Sequence, residues 1–87
     1  MSIRDEIAAY LSGVAESRGI PASVLGPDVA LMETGILDSL SLLDFIRFVE
    51  RRWSIPIAEA EIVLDNFGTI AAVTAYLQRR LGAGAAS

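Results

Sequence analysis

A chain of 87 residues, 53% of them apolar, holds enough hydrophobic material for one compact core and no more. It contains no cysteine, histidine or lysine, which removes disulfides, thiolate nucleophiles, imidazole bases, Schiff-base lysines and almost every transition-metal site. Seven arginines face eleven Asp and Glu, and that acidic balance argues against nucleic acid as a partner.

Charges and glycines interrupt every hydrophobic stretch before the roughly eighteen residues a membrane span requires, so none is expected. Met1-Ser2-Ile3-Arg4-Asp5-Glu6 lacks the basic-then-apolar order of a secretory signal, and a cytoplasmic location follows by default. Charge is also unevenly spread. Gly19 to Ile46 has no basic residue but carries Asp28, Glu33, Asp38 and Asp44; Trp53 to Gln78 likewise has only Glu59, Glu61 and Asp65. Arginines gather at Arg47, Arg51 and Arg52, and at Arg79 and Arg80. A locally acidic face speeds encounter with a basic partner surface more than it adds affinity.

Residues 2–18 predict an amphipathic helix. Ser2 is a fitting N-cap, Asp5 lies near the capping-box position, and Glu6 favours the positive helix end. Ile3, Ile7, Tyr10, Leu11 and Val14 form one stripe, and Gly19 followed by Pro21 stops the helix. Residues 19–37 then make a long connection with Pro21, Gly26, Pro27 and Gly35. Its Ile20, Val24, Leu25, Val29, Leu31, Ile36 and Leu37 are costly to leave in water, so it either packs back on the core or carries function. A short helical turn is expected around Pro21 to Leu25.

Asp38 opens a second helix, to about Arg52. At about 100° per residue, Leu42, Phe45, Ile46, Val49 and Trp53 share the core face. Ser39, Asp44, Arg47, Glu50 and Arg51 lie elsewhere. Leu40, Leu43 and Phe48 fall off the stripe, to be covered by a loop or to form an apolar docking patch beside Ser39. After Pro56, Ala58 to Leu64 predicts a short helix or turn, and Asp65-Asn66-Phe67-Gly68 reads as a turn. Thr69 is a good N-cap for a last helix over 70–81, with Ile70, Val73, Leu77 and Leu81 on one side. The tail, 82–87, has nothing to bury and is expected to be disordered, leaving 1–81 as the folded domain. The fold class is all-α: a small four-helix bundle, three longer helices plus a short third one, with a long first loop.

Chemistry concentrates in Glu33-Thr34-Gly35-Ile36-Leu37-Asp38-Ser39-Leu40. A serine directly after an N-capping aspartate has its hydroxyl at a helix start, where unpaired backbone N–H groups and the helix dipole favour an attached anion. Asp-Ser also begins many ordinary helices, so the tripeptide alone is weak evidence. In context, the stretch resembles the prosthetic-group site of the acyl carrier protein family. The resemblance covers residues 3–81: helix, long apolar loop ending in Gly-x-x-Asp-Ser-Leu, helix, short helix, and Phe67-Gly68-Thr69-Ile70 leading into the last helix.

That resemblance implies covalent 4'-phosphopantetheine, transferred from coenzyme A onto Ser39 by a magnesium-using phosphopantetheinyl transferase, with Asp38 and Leu40 flanking the attachment point. It also implies a non-catalytic role, in which the arm's thiol holds an acyl or aminoacyl group as a thioester and the cofactor carries the chemistry. A tethered group reaches each partner at high effective concentration. Gly35-Ile36-Leu37-Asp38-Ser39 is similar to stand-alone D-alanyl or aminoacyl carriers, whereas fatty acid carriers tend to have one residue between Gly and Asp. Fatty acid carriers are also acidic along the second helix, and this one carries Ser41, Arg47, Arg51 and Arg52. The expected partners are therefore the transferase, an adenylating enzyme that loads the cargo, and a downstream acyltransferase or condensing enzyme of a dedicated pathway. Leu43, Asp44, Arg47 and Arg51 are the candidate docking residues, on a monomer. The alternative from another class is an unmodified helical interaction module using the apolar patch and acidic face alone. A carboxylate enzyme is poorly supported, because Asp38 and Asp44 lie on different helix faces.

Overall fold

A computed structural model describes residues 2–85, with side chains as far as Gly82. Four helices follow in order: α1 (Ile3–Ser17), α2 (Ser39–Trp53), α3 (Leu64–Phe67) and α4 (Ile70–Ala85), with 3-10 turns at Ala22–Val24 and Glu59–Glu61. Among the described residues no strand interrupts this all-α arrangement.

Local chemistry sets the ends of α1. Ser2 Oγ accepts from Asp5 N–H at 3.1 Å and Asp5 accepts from Ser2 N–H at 3.5 Å, closing a capping box. At the other end Gly19 takes φ +76°, Ile20 N–H donates to Ala15 O at 2.9 Å, and Gly19 N–H donates to Glu16 O at 3.0 Å. These paired bonds form a Schellman stop, which places an achiral residue in the left-handed region. Ile7, Leu11 and Ala15 are buried; Ile3, Tyr10 and Val14 flank them at the edge of the core.

The first connection is a layer of the core. Leu31, Ile36 and Leu37 are buried, and backbone bonds tie the segment to the far end of the chain. Leu31 N–H donates to Gly68 O at 2.9 Å, Ala71 N–H to Pro27 O at 2.9 Å, and Leu37 N–H to Leu31 O at 2.9 Å. A loop with buried apolar residues needs such partners, because unpaired backbone groups are expensive away from water. Gly35 supplies the turn into α2 with φ +81°.

On α2, Phe45, Ile46 and Val49 are buried as their spacing predicts. Leu42 and Trp53 are half-buried at the core's edge. Phe48 is covered by a helix and not by a loop: its ring stacks on Tyr10 of α1 at 4.3 Å, and Trp53 meets it edge-on at 6.0 Å. Leu40 and Leu43 stay exposed.

The stretch after α2 differs in detail from the sequence reading. Asp65 to Gly68, expected as a turn, lies largely within α3, while Glu59–Glu61 within the 58–64 segment makes the 3-10 turn. Buried Phe67 anchors that single helical turn, and Asn66 Nδ2 donates to Glu61 O at 2.8 Å. Thr69 caps α4 as expected, its Oγ1 accepting from Ala72 N–H at 3.0 Å. Ile70, Val73, Tyr76 and Leu77 are buried along it. The helix runs to Ala85, beyond the apolar pattern that ends at 81; residues 86–87 of the expected tail lie outside the described residues.

Candidate functional site

The first turn of α2 gathers the chemistry. Asp38 is extended, with φ −124° and ψ −172°, and sits at the N-cap, so Ser39 is the first helical residue. Ser41 N–H donates to Asp38 Oδ1 at 2.9 Å, and Asp38 N–H donates back to Ser41 Oγ at 2.8 Å. Ser41 Oγ in turn donates to Asp38 Oδ1 at 3.0 Å. This box is a serine version of the Ser/Thr–Glu arrangement, with Ser41 in the third helical position. It leaves the N–H groups of Ser39 and Leu40 without intrahelical partners, as at any helix start.

Ser39 is exposed, and among the described residues its hydroxyl has no hydrogen-bond partner. Leu40 beside it is 76% exposed. Further along the same face lie Leu43 and Asp44, then Arg47 and Arg51, all exposed. The spacing 40, 44, 47, 51 puts them on one stripe that begins next to Ser39. Among the described residues Asp44, Arg47 and Arg51 form no ion pair, unlike Arg52, which reaches back to Glu6 on α1.

One site residue escaped the sequence reading. Arg18, the C-cap of α1, extends its guanidinium to the first turn of α2. Its Nη2 donates to Asp38 Oδ2 at 2.9 Å and to Ser41 Oγ at 3.1 Å, and Nη1 reaches Gly35 O at 3.4 Å. A signal existed: Arg18 is the last cation before a long segment without any. Ser41 at the third position after an aspartate cap was likewise legible as half of a box. The Ser41 N–H, then Arg18, then the Ser41 hydroxyl hold the Asp38 carboxyl well below the ordinary carboxylate range. Asp38 is therefore ionised and fully engaged, which suits a cap and not a proton carrier.

A mainly apolar groove of about 420 Å³ opens one turn along α2, lined by Met32, Leu42, Ile62, Val63, Leu64 and Phe67 together with Asp65. Val63 and Leu64 are 47% and 68% exposed. The consecutive Ile62-Val63-Leu64 was the available sequence signal for this wall. Among the described residues no cluster of acidic side chains could hold a metal, and no helix is long and apolar enough to cross a membrane.

Residues 6–77 match the family model described as the phosphopantetheine attachment site. The chain belongs to that family. Its prosthetic group is accordingly 4'-phosphopantetheine. Over 79 residues, 91% of this chain, the sequence is also 38% identical to the lincomycin biosynthesis protein LmbN of Streptomyces lincolnensis. The match occupies 28% of that protein, so the chain spans less than a third of its relative's length.

The first turn of α2 fits the group this attachment domain receives. An exposed hydroxyl with no competing partner is available, two backbone N–H groups at a positive helix end remain free for an anion, and the neighbouring carboxylate is already paired.

Proposed function

We propose that Ser39 is the attachment residue and that the chain carries an acyl or aminoacyl group for the enzymes of a dedicated biosynthetic pathway. The observation that supports this most directly is the unpaired, exposed Ser39 hydroxyl at the first position of a capped helix inside the matched domain. When bound, phosphopantetheine supplies a thiol that holds the cargo as a thioester, chemistry for which the chain has no side chain of its own. The chain's own part is positional. Asp38 and Ser41 fix the helix start, Gly35 aims it, and the buried Leu37 anchors the residue before the cap. No group in this arrangement is disposed to act as an acid or base, so the reading is a carrier served by partner catalysts.

The partners follow from that reading: a phosphopantetheinyl transferase, an adenylating enzyme that loads the cargo, and an acyltransferase or condensing enzyme that removes it, all in the cytoplasm. The biosynthetic name of the LmbN protein supports a pathway of specialised rather than housekeeping type. The exposed stripe Leu40, Leu43, Asp44, Arg47 and Arg51 is the proposed docking face. Its charge reverses along the helix, which differs from a uniformly acidic surface and suits a partner matched to both signs. Changing Arg47 and Arg51 together to Glu should slow loading by the cognate enzyme at low salt and less so at high salt.

Intact mass after incubation with coenzyme A, magnesium and a broad-specificity phosphopantetheinyl transferase tests the attachment. The wild-type chain should gain the mass of one phosphopantetheine, and Ser39→Ala should gain none while keeping its helical circular dichroism. Labelling at Ser41 or Ser12, or of nothing, would reject the proposal.

A further inference from the structure

Arg18 links the end of α1 to the first turn of α2. Its guanidinium contacts Asp38 and Ser41, the residues on either side of the first helical turn that contains Ser39 and Leu40. It comes from a different element, the end of α1, and it crosses twenty positions of sequence to get there. No basic residue occurs between Gly19 and Ile46, while Glu33, Asp38 and Asp44 all lie in the segment around Ser39. A phosphodiester on Ser39 would therefore add an anion next to the Asp38 carboxylate, inside a stretch that is otherwise uncompensated. Charges on one helical turn lie well within the Debye length of about 8–10 Å, so that repulsion is felt in physiological salt.

We infer that Arg18 is a positioning residue for the prosthetic group: it neutralises Asp38 so that the phosphodiester can occupy the start of α2. The inference rests on Ser39 as the attachment residue. The Asp38 carboxylate is needed for the cap, because its Oδ1 accepts from Ser41 N–H. It cannot simply be absent. Arg18 takes the other oxygen, Oδ2, and so offsets the charge without disturbing the cap. The Arg18 side chain remains about one-third exposed. The Schellman stop at Gly19 fixes where α1 ends and hence where the guanidinium projects.

A purely structural staple and a counter-charge differ in one measurable way. Loss of a staple weakens the unmodified and the modified protein alike. Loss of a counter-charge weakens the modified protein more. The experiment prepares unmodified and phosphopantetheinylated forms of the wild type, Arg18→Gln, Arg18→Lys and Asp38→Asn, and compares their unfolding equilibria in denaturant at low and high salt. Intact mass, with Ser39→Ala as the unloaded control, first establishes that modification occurs at Ser39; failure there rejects the attachment reading and the role of Arg18 with it, whereas loading at Ser39 followed by failure of the comparison below rejects the role of Arg18 alone.

With loading established, modification of Arg18→Gln should lower the folding equilibrium constant about two- to fivefold more than modification of the wild type. That range is what an exposed charge pair gives. The excess should vanish near 1 M salt, where the Debye length is about 3 Å, and Arg18→Lys should remove most of it. Should Arg18→Gln fail to fold, Asp38→Asn decides the matter, since asparagine is an equally good N-cap. It frees the guanidinium, so modification of Asp38→Asn should be more favourable than modification of the wild type. Equal effects of modification on wild type and Arg18→Gln, or on wild type and Asp38→Asn, would overturn the inference and leave Arg18 as a staple.

Discussion

The chain has two long connections, 18–38 before α2 and 54–69 after it, and they behave differently despite similar apolar content. The first buries Leu31, Ile36 and Leu37 completely or nearly so, and its backbone bonds to Gly68 and Ala71 at the other end of the fold. The second buries Ile57 and Phe67 but leaves Val63 and Leu64 in solvent along the groove. Beyond the Gly68 carbonyl that Leu31 N–H holds, mostly side chains fasten it: Arg80 bonds Glu61 and Pro56 O, Tyr76 bonds Glu61, and Arg79 bonds Asn66. A connection held by core burial is fixed in position, whereas one held by partly exposed polar contacts opens at lower cost. Ser39 hangs from the end of the fixed one. The proposed attachment residue is thus presented by the more firmly held connection, and the less firmly held wall faces the groove.

Truncating the two connections gives the largest expected contrast. Leu37→Ala should cost ~2–5 kcal/mol, the range for a buried leucine, because it empties space beneath the cap residue. Leu64→Ala should stay within about 0.5 kcal/mol, since the side chain is 68% exposed. Urea unfolding of both variants checks this. Comparable losses would mean the second connection is as much a part of the core as the first.

A glycine in each connection is costly to replace, for a different reason in each. A Cβ at Gly68 would lie 2.6 Å from Leu64 O, so α3 or the start of α4 must shift. Gly68→Ala should cost ~1–3 kcal/mol, as overpacking does. Gly35 has open space around it but φ +81°, so Gly35→Ala meets only backbone strain, about 1–2 kcal/mol. Thermal unfolding should rank Gly68→Ala below Gly35→Ala. The reverse order would place the tighter constraint in the first connection's turn instead of at the foot of α4.

Features that depend on near neighbours were legible in the sequence. The caps Ser2, Asp38 and Thr69 and the stripes Ile7–Leu11, Phe45–Val49 and Ile70–Leu77 follow from spacing alone, because one helix contains all the atoms involved. Ser39 stood out for the same reason. Features that depend on how helices are rotated against each other were not legible. Nothing in the α2 pattern says that Phe48 will find Tyr10, that Leu42 will turn toward a groove, or that Arg18 will span to Asp38. The boundary of α3 was hidden because a single helical turn and a β-turn share residue preferences, and only burial of Phe67 separates them.

Where the second connection begins, Ser54 adopts the left-handed region at φ +54°, ψ +45°, with Ile55 N–H donating to Glu50 O at 3.2 Å. The corresponding residue at the end of α1 is Gly19. Ser54→Gly should therefore stabilise the fold, by up to about 1 kcal/mol, since glycine meets no Cβ penalty there. Glycine also has more freedom to lose on folding, which reduces the gain. A small rise in denaturant midpoint is the expected result. A fall would show that the second connection depends on serine for something besides backbone conformation.

The smallest effect expected belongs to the exit of the first connection and is read from pH. Asp38 is held ionised in the folded chain by Ser41 N–H, then Arg18, then Ser41 Oγ. In the unfolded chain it has an ordinary aspartate pKa of about 3.9. Above that value both states are deprotonated, and the stabilising contribution is fully present. As pH falls below about 4 the unfolded chain takes up a proton that the folded chain resists, so the contribution declines toward acid. Comparison with Asp38→Asn isolates this carboxylate. The stability difference between wild type and Asp38→Asn should be flat from about pH 5 to 8 and shrink below about pH 4. Its size will be modest, because the carboxylate is over half exposed and solvent screens the pair. Arg18→Gln should reduce the acid dependence without abolishing it, because the Ser41 N–H is the larger influence on Asp38. A difference that stays constant down to pH 3 would mean the box does not hold the carboxylate, and the first connection would lose its fixed exit.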